Sequence, residues 1–135
     1  MKFNSQVCTT FRQSERLIKM GLKYETADCY YYAIQSWNGN DYENTGEICL
    51  KFICDAESRE HFEHLINVFG NEIGEKDVPY VMPAWSLDRL LELYKSVGDT
   101  SEWKLEDVTY HHIIQCISLA IKHGGFNEDF LVKNV

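Results

Sequence analysis

The chain has 135 residues, of which 44% are hydrophobic and 25% charged, a composition that favours a single folded domain over residues 1–135. Its formal net charge of −8 at pH 7 argues against a nucleic-acid or anionic-membrane surface, because such surfaces need clustered Lys and Arg. An acidic mimic of DNA is not indicated either, since the 21 acidic residues are scattered along the chain.

The N-terminal residues and the cysteines bear on location. The first residues contain no apolar segment typical of a secretory signal, and no apolar run reaches the ~20 residues of a membrane span. The five cysteines are odd in number and irregularly spaced, which favours free thiols in a reducing compartment. We therefore expect a cytoplasmic protein without a membrane segment.

The first predicted element is a helix from Phe11 to Met20. Thr10 and Gln13 have the spacing of a capping box, in which each side chain bonds the other residue's backbone N–H. Gly21 followed by Leu22 is typical of a Schellman ending, where glycine adopts a left-handed backbone. The capping residues therefore define both ends of this helix.

The next region is predicted to be extended. The aromatic segment Tyr30-Tyr31-Tyr32-Ala33-Ile34 favours a strand, and Trp37-Asn38-Gly39-Asn40 contains a dipeptide typical of hairpin turns. The polar stretch up to Gly46 is predicted to be a loop. The apolar run from Ile48 to Cys54 is the clearest strand of the sequence.

A second helix is predicted to begin at Asp55, whose carboxylate can cap it, and to end at Gly70. Its apolar residues recur at the spacing of one buried helical face. These residues are Phe62, Leu65, Ile66 and Phe69. Residues 71–80 are predicted to be a loop.

The C-terminal part predicts two more helices. Ser86 can cap the third helix, with Trp85 positioned to pack on Leu90 as a hydrophobic staple. Trp103 to Leu105 is predicted to be a short strand, and the last helix is expected from Val108 to His123. The fold class predicted from all elements is α+β, with about four helices packed on a small, mainly antiparallel sheet.

Four side chains suggest a metal site or a small enzyme as an alternative function. They lie as two pairs at helical spacing, and zinc accepts Cys and His ligands in tetrahedral geometry. The four are His61, His64, His112 and Cys116. Nothing in the sequence brings the two pairs together, so the favoured interpretation is surface histidines and a helix-packing thiol. No metal and no other cofactor is predicted.

Catalytic motifs are not evident in the sequence. Cys54 precedes a predicted helix start, where a thiolate can be stabilised, but its place at the end of an apolar strand favours a core position. No phosphate-binding glycine loop and no nucleophile elbow is present. The catalytic residues, if any, stay unidentified, and an enzyme is the less favoured hypothesis.

The aromatic segment in the middle of the chain is a candidate partner surface. Consecutive tyrosines are typical of a strand that places one ring inside and the next outside, whereas exposed aromatic rings mark protein interfaces. The candidate residues for such a surface are Tyr30, Tyr31, Tyr32 and Trp37.

Three groups of residues together carry a resemblance to known proteins. They are Gly21-Leu22, Thr26-Ala27-Asp28 with Tyr30-Tyr31-Tyr32, and Pro83-Ala84-Trp85-Ser86-Leu87. The combination resembles short uncharacterised proteins of gut anaerobic bacteria and their prophages or other mobile elements, from which the segment Ile48 to Gly70 departs. The resemblance implies a bacterial or phage cytoplasm and an accessory role, and it transfers no catalytic residue.

Three functional hypotheses follow from the sequence. The leading one is an accessory protein that acts by protein–protein binding or regulation, because catalytic motifs are missing and the middle of the chain is rich in aromatic residues. The second is the metal protein or enzyme already described. The third is a module that associates with itself through a sheet edge or the aromatic strand.

Overall fold

The computed structural model describes residues 6–76, 79–95, 97 and 108–132. The chain forms two compact units, one from residues up to Ala27 together with those from Trp85 onward, the other from Asp28 to Ala84. The described residues contain four α-helices and a three-stranded antiparallel sheet, which confirms the α+β prediction. The strand predicted from Trp103 to Leu105 lies outside the described residues.

The helices and strands follow one another in the order predicted for most of the chain. They are α1 (Phe11–Lys19), β1 (Cys29–Trp37), β2 (Tyr42–Phe52), α2 (Ala56–Phe69), β3 (Val81–Ala84), α3 (Leu87–Tyr94) and α4 (Tyr110–Lys122). Short 3₁₀ turns occur at Tyr24–Thr26, Gly70–Glu72 and Glu128–Phe130. Helix α4 begins two residues later than predicted because Thr109 is its N-cap.

The predicted ends of α1 are confirmed. The backbone N–H of Gln13 donates to Thr10 Oγ1 at 3.2 Å, and the N–H of Thr10 donates to Gln13 Oε1 at 3.0 Å. Gly21 has a φ of +105°, and the N–H of Leu22 donates to the carbonyl of Leu17 at 3.2 Å. Both leucines are fully buried, so the Schellman ending also supplies core contacts.

The segment around Trp85 has a structural role in the first of the two units, which contains α1, α3 and α4. We call this unit the helical unit. Trp85 is fully buried and its Nε1–H donates to Thr26 Oγ1 at 3.0 Å. Its backbone exchanges two bonds with Thr9, through the N–H of Thr9 at 2.9 Å and through Thr9 Oγ1 at 3.1 Å. Ser86 caps α3 by accepting the N–H of Arg89, as predicted.

The strand order is β2-β1-β3, and both pairings are antiparallel. Two predictions for this region are wrong. The segment before Gly46 is not a loop, because β2 begins at Tyr42 and pairs with β1. The segment Val81–Ala84 is a buried strand rather than the approach to α3, because it also pairs with β1. Long-range hydrogen bonding to β1 thus decides the structure of both segments, the first in spite of its polar composition.

Helix α2 begins at its predicted cap. The carboxylate of Asp55 accepts the backbone N–H of Ser58 at 2.8 Å, and this contact lowers the pKa of Asp55. Phe62 and Leu65 are buried, whereas Ile66 and Phe69 are half-buried. The predicted apolar face therefore carries the packing of the helix.

Candidate functional site

The hairpin of β1 and β2 is irregular in its middle. Ala33 lies opposite Ile48, but Gln35 lies opposite Asn44, so three residues of β2 face a single residue of β1. Gly46 occupies this bulge with a φ of +84°, a value that favours glycine. Since β3 pairs only with Cys29–Tyr32, the part of the hairpin beyond the bulge is a two-stranded arm.

A tight loop closes the arm. The N–H of Asn38 donates to the carbonyl of Asp41 at 3.0 Å, and the side-chain oxygen of Asn38 accepts the N–H groups of Asn40 and Asp41. Immediately before and after this loop, the rings of Trp37 and Tyr42 meet edge to face with centroids 5.1 Å apart. The loop therefore holds two large aromatic rings together at the end of the arm.

One face of the hairpin carries four exposed large apolar side chains. Cross-strand partners and alternate residues of a strand share a face, which places Ile48 opposite Ala33 and Phe52 opposite Cys29 on the Tyr31 side. Continuing the alternation along β1 places Trp37 and its partner Tyr42 on the same side. The exposed fractions are 60% for Trp37, 62% for Tyr42, 43% for Ile48 and 47% for Phe52. We call these four residues the hairpin face.

The other face of the sheet is covered by α2 through an aromatic cluster. Tyr30 contacts Phe62 with ring centroids 5.1 Å apart, and its hydroxyl is 2.5 Å from Nδ1 of His61. Tyr32 meets the His61 ring edge to face at 5.3 Å. Tyr30 is fully buried, so its assignment to a partner surface is wrong, because its ring anchors the helix.

The protonation of this cluster is consistent with an anchoring role. Burial, followed by the nearby Tyr32 and Asp55, raises the pKa of Tyr30 to about 12. Burial, followed by the charge of Lys51, lowers the pKa of His61. At neutral pH the tyrosine is therefore protonated and the imidazole neutral, so the hydrogen bond between the Tyr30 hydroxyl and Nδ1 of His61 joins two uncharged groups.

The four candidate metal ligands lie on helices of two separate units, His61 and His64 on α2 and His112 and Cys116 on α4. His61 is half-buried against the sheet, His64 and His112 are exposed, and Cys116 is half-buried on α4. Burial raises the pKa of the Cys116 thiol, which disfavours the thiolate that zinc requires. No group of three or more His, Cys, Asp or Glu that could hold a metal ion occurs in the described ranges.

The prediction that Cys54 belongs to the core is wrong. Strand β2 ends at Phe52, two residues earlier than predicted, so Cys54 lies in the connection to α2 and its side chain is exposed. Its backbone N–H donates to Ser58 Oγ at 3.0 Å, which holds the connection against the capped end of the helix. Cys54 is exposed because β2 ends before it, and the apolar pattern of the sequence does not determine where the strand ends.

An open groove of about 540 Å³ lies in the helical unit and is lined mainly by polar side chains. Its lining residues are Arg12, Glu15, Arg16, Lys19, Met20 and Ser118. Two of the charged groups bond within the unit, Lys19 to Glu15 at 2.9 Å and Arg16 to Gln115 at 2.7 Å. The first of these bonds pairs opposite charges, whereas the second joins the Arg16 guanidinium to a neutral amide.

Comparison of the chain with protein-family models, with curated proteins and with solved structures finds no match. Across the described helices, none combines the length and the apolar character needed to cross a membrane. The geometry of the hairpin therefore defines the candidate site.

The sequence identified only part of the hairpin face. Trp37 is among the predicted surface residues, but Tyr42 lies in the segment predicted as a loop, and Ile48 and Phe52 are predicted only as strand residues. The Asn38-Gly39 dipeptide indicates a hairpin, but as the two central residues of a turn it would place Trp37 opposite Asn40, whereas the structure pairs Trp37 with Tyr42.

Proposed function

We propose that the protein is a bacterial or phage accessory protein of the cytoplasm that binds another protein through the hairpin face. The observation that carries the proposal is the exposure of Trp37, Tyr42, Ile48 and Phe52 on one side of a single hairpin. Contiguous exposed apolar residues on a folded protein mark interaction sites, and Trp, Tyr and Phe are enriched in such sites.

The backbone supports this use of the hairpin. Trp37 and Tyr42 are held against each other next to a loop closed by Asn38, so little side-chain freedom is lost when a partner covers them. Binding that immobilises fewer rotamers loses less conformational entropy. The polar groups of Asp41 and Glu43, which flank Tyr42, fit the hydrophilic rim of an interface.

Affinity capture with matched variants tests the proposal. The tagged protein is used on a lysate of its native host, the captured protein is purified, and its dissociation constant is measured by calorimetry. Trp37→Ser combined with Tyr42→Ser should weaken binding at least about tenfold, as expected for central aromatic residues of an interface. Val68→Ser on α2 removes another exposed apolar side chain and should leave binding unchanged.

Thermal unfolding shows whether each variant is folded, because exposed substitutions usually change stability by less than about 0.5 kcal/mol. Two results would refute the proposal. One is that the folded wild-type protein captures no protein beyond those on a bare support. The other is that the hairpin variant binds the captured protein as tightly as the wild type does.

A further inference from the structure

The outer edge of β2 has no partner strand among the described residues, since β2 is the first strand in the order β2-β1-β3. The opposite edge, β3, is only four residues long and includes Pro83, which cannot donate a ladder bond. Strand β2 has 11 residues and no proline. The bulge at residues 45–47 interrupts this edge, and the regular run beyond it, residues 48–52, is the part of β2 able to add a strand.

The hydrogen bonds of β1 show which residues of β2 point their backbone N–H and C=O groups towards the outer edge. The N–H of Ala33 donates to the carbonyl of Tyr80, on the β3 side, whereas the carbonyl of Ile34 accepts the Thr45 hydroxyl, on the β2 side. Even-numbered residues of β1 therefore turn their backbone groups towards β2, and Tyr32 with Cys49 is a hydrogen-bonded pair. Ile48 and Leu50, on either side of Cys49, consequently present their N–H and C=O groups at the outer edge.

We propose that the protein forms a dimer with a second copy of itself by antiparallel pairing of β2 with β2, centred on Cys49. In this register Ile48 of each copy lies opposite Leu50 of the other, which pairs the outward backbone groups in both directions. The proposal goes beyond the hairpin face, because it concerns the edge of the sheet and names the occupant.

The charges along β2 favour a second copy of the chain as the partner strand, and they favour the register centred on Cys49. In this register Glu47, the last residue of the bulge, lies opposite Lys51 of the second copy, because the two lie two residues on either side of Cys49. Neither residue forms a salt bridge within the described part of the chain. Opposite charges directly across a strand pair are favourable, whereas a register centred on Glu47 would place two glutamates opposite each other.

Packing is compatible with the same arrangement. Phe52 of one copy lies opposite Gly46 of the other, where a side chain at Gly46 would meet nothing within 4 Å, so its exposed ring has space. The two β1 strands would be three strand spacings apart, or about 14 Å. Since a helix with side chains is about 10–12 Å wide, the two α2 helices fit side by side.

Sedimentation analysis of charge variants tests the pairing. The wild-type protein should show a concentration-dependent dimer. Glu47→Lys and Lys51→Glu should each weaken dimerisation about tenfold or more, because each places like charges at two positions of the pair. The double variant should restore the dimer, and an equimolar mixture of the two single variants should form a heterodimer. Glu60→Lys and Lys122→Glu, at exposed positions on α2 and α4, are matched controls.

Oxidative crosslinking provides a second measurement. In a Cys54→Ser background, diamide takes up the protons and electrons of two thiols, and a Cys49–Cys49 disulfide should form because a non-hydrogen-bonded pair brings the Cα atoms to about 4.5 Å. Cys49→Ser should abolish the covalent dimer. A monomeric wild type at millimolar concentration, or a dimer that single charge reversals leave unchanged, would overturn the proposal. Neither result affects the Trp37 and Tyr42 capture experiment, so the two proposals fail separately.

Discussion

Replacing Tyr30 by Phe tests the anchor between the sheet and α2. The substitution keeps the buried ring and its packing on Phe62 but removes the hydroxyl that is hydrogen-bonded to His61 Nδ1. A neutral hydrogen bond contributes about 0.5–1.5 kcal/mol, and a ring nitrogen left without its partner adds to the loss. Because His61 is only half-buried, water can reach part of the ring, so we expect a loss of about 1–2 kcal/mol in the free energy of unfolding.

Urea denaturation followed by circular dichroism measures this loss. With a slope of about 2 kcal/mol per molar urea, the midpoint should fall by roughly 0.5–1 M. Tyr42→Phe is the control, because it removes a hydroxyl from a ring that is 62% exposed and should leave the midpoint unchanged. In a His61→Ala background, Tyr30→Phe should cost much less, because the partner of the hydroxyl is already gone. Equal midpoints for Tyr30→Phe and Tyr42→Phe would refute the anchoring argument.

The other predictions concern pH, the core and a helix end. Folding lowers the pKa of His61, so its contribution to stability should be fully present above about pH 6.5 and lost as pH falls from there through the lower folded-state pKa, and His61→Asn should remove this part of the pH dependence of urea unfolding. An unchanged profile would contradict it. Trp85→Phe should lower stability by about 1–2 kcal/mol in thermal melts, since Thr26 loses its donor; an unaltered melting temperature would argue against that bond. Gly21→Ala should cost about 1–2 kcal/mol by urea denaturation because its φ is +105°, whereas Gly125→Ala should be nearly neutral.

Helix positions could be predicted because their signals are local. A cap is made by residues three or four positions apart, as with Thr10 and Gln13 or Asp55 and Ser58, so the sequence contains both partners. The buried stripe of a helix is equally local, and Phe62 and Leu65 are buried as their spacing predicts.

Strand limits could not be predicted in the same way. Tyr42 to Gly46 reads as a polar loop, but it is extended because β1 pairs with it across the turn. Val81–Ala84 becomes a strand because Cys29–Tyr32 is its partner. The sequence predicted the hairpin turn but not the bulge at Gly46, since the bulge depends on how the two strands are aligned.

The candidate site likewise has features that the sequence predicts and features that only the strand pairing and packing decide. The sequence by itself determined which residue types were available, namely a tyrosine run, Trp37 and a strand rich in apolar residues. Only the tertiary structure decided that Tyr30 is buried beneath α2 while Tyr42 and Phe52 are exposed beside Trp37 on one face. The physical reason is that the backbone of a strand does not distinguish its two faces. Which face is buried depends on the element that packs on it, here α2, and that element comes from another part of the chain.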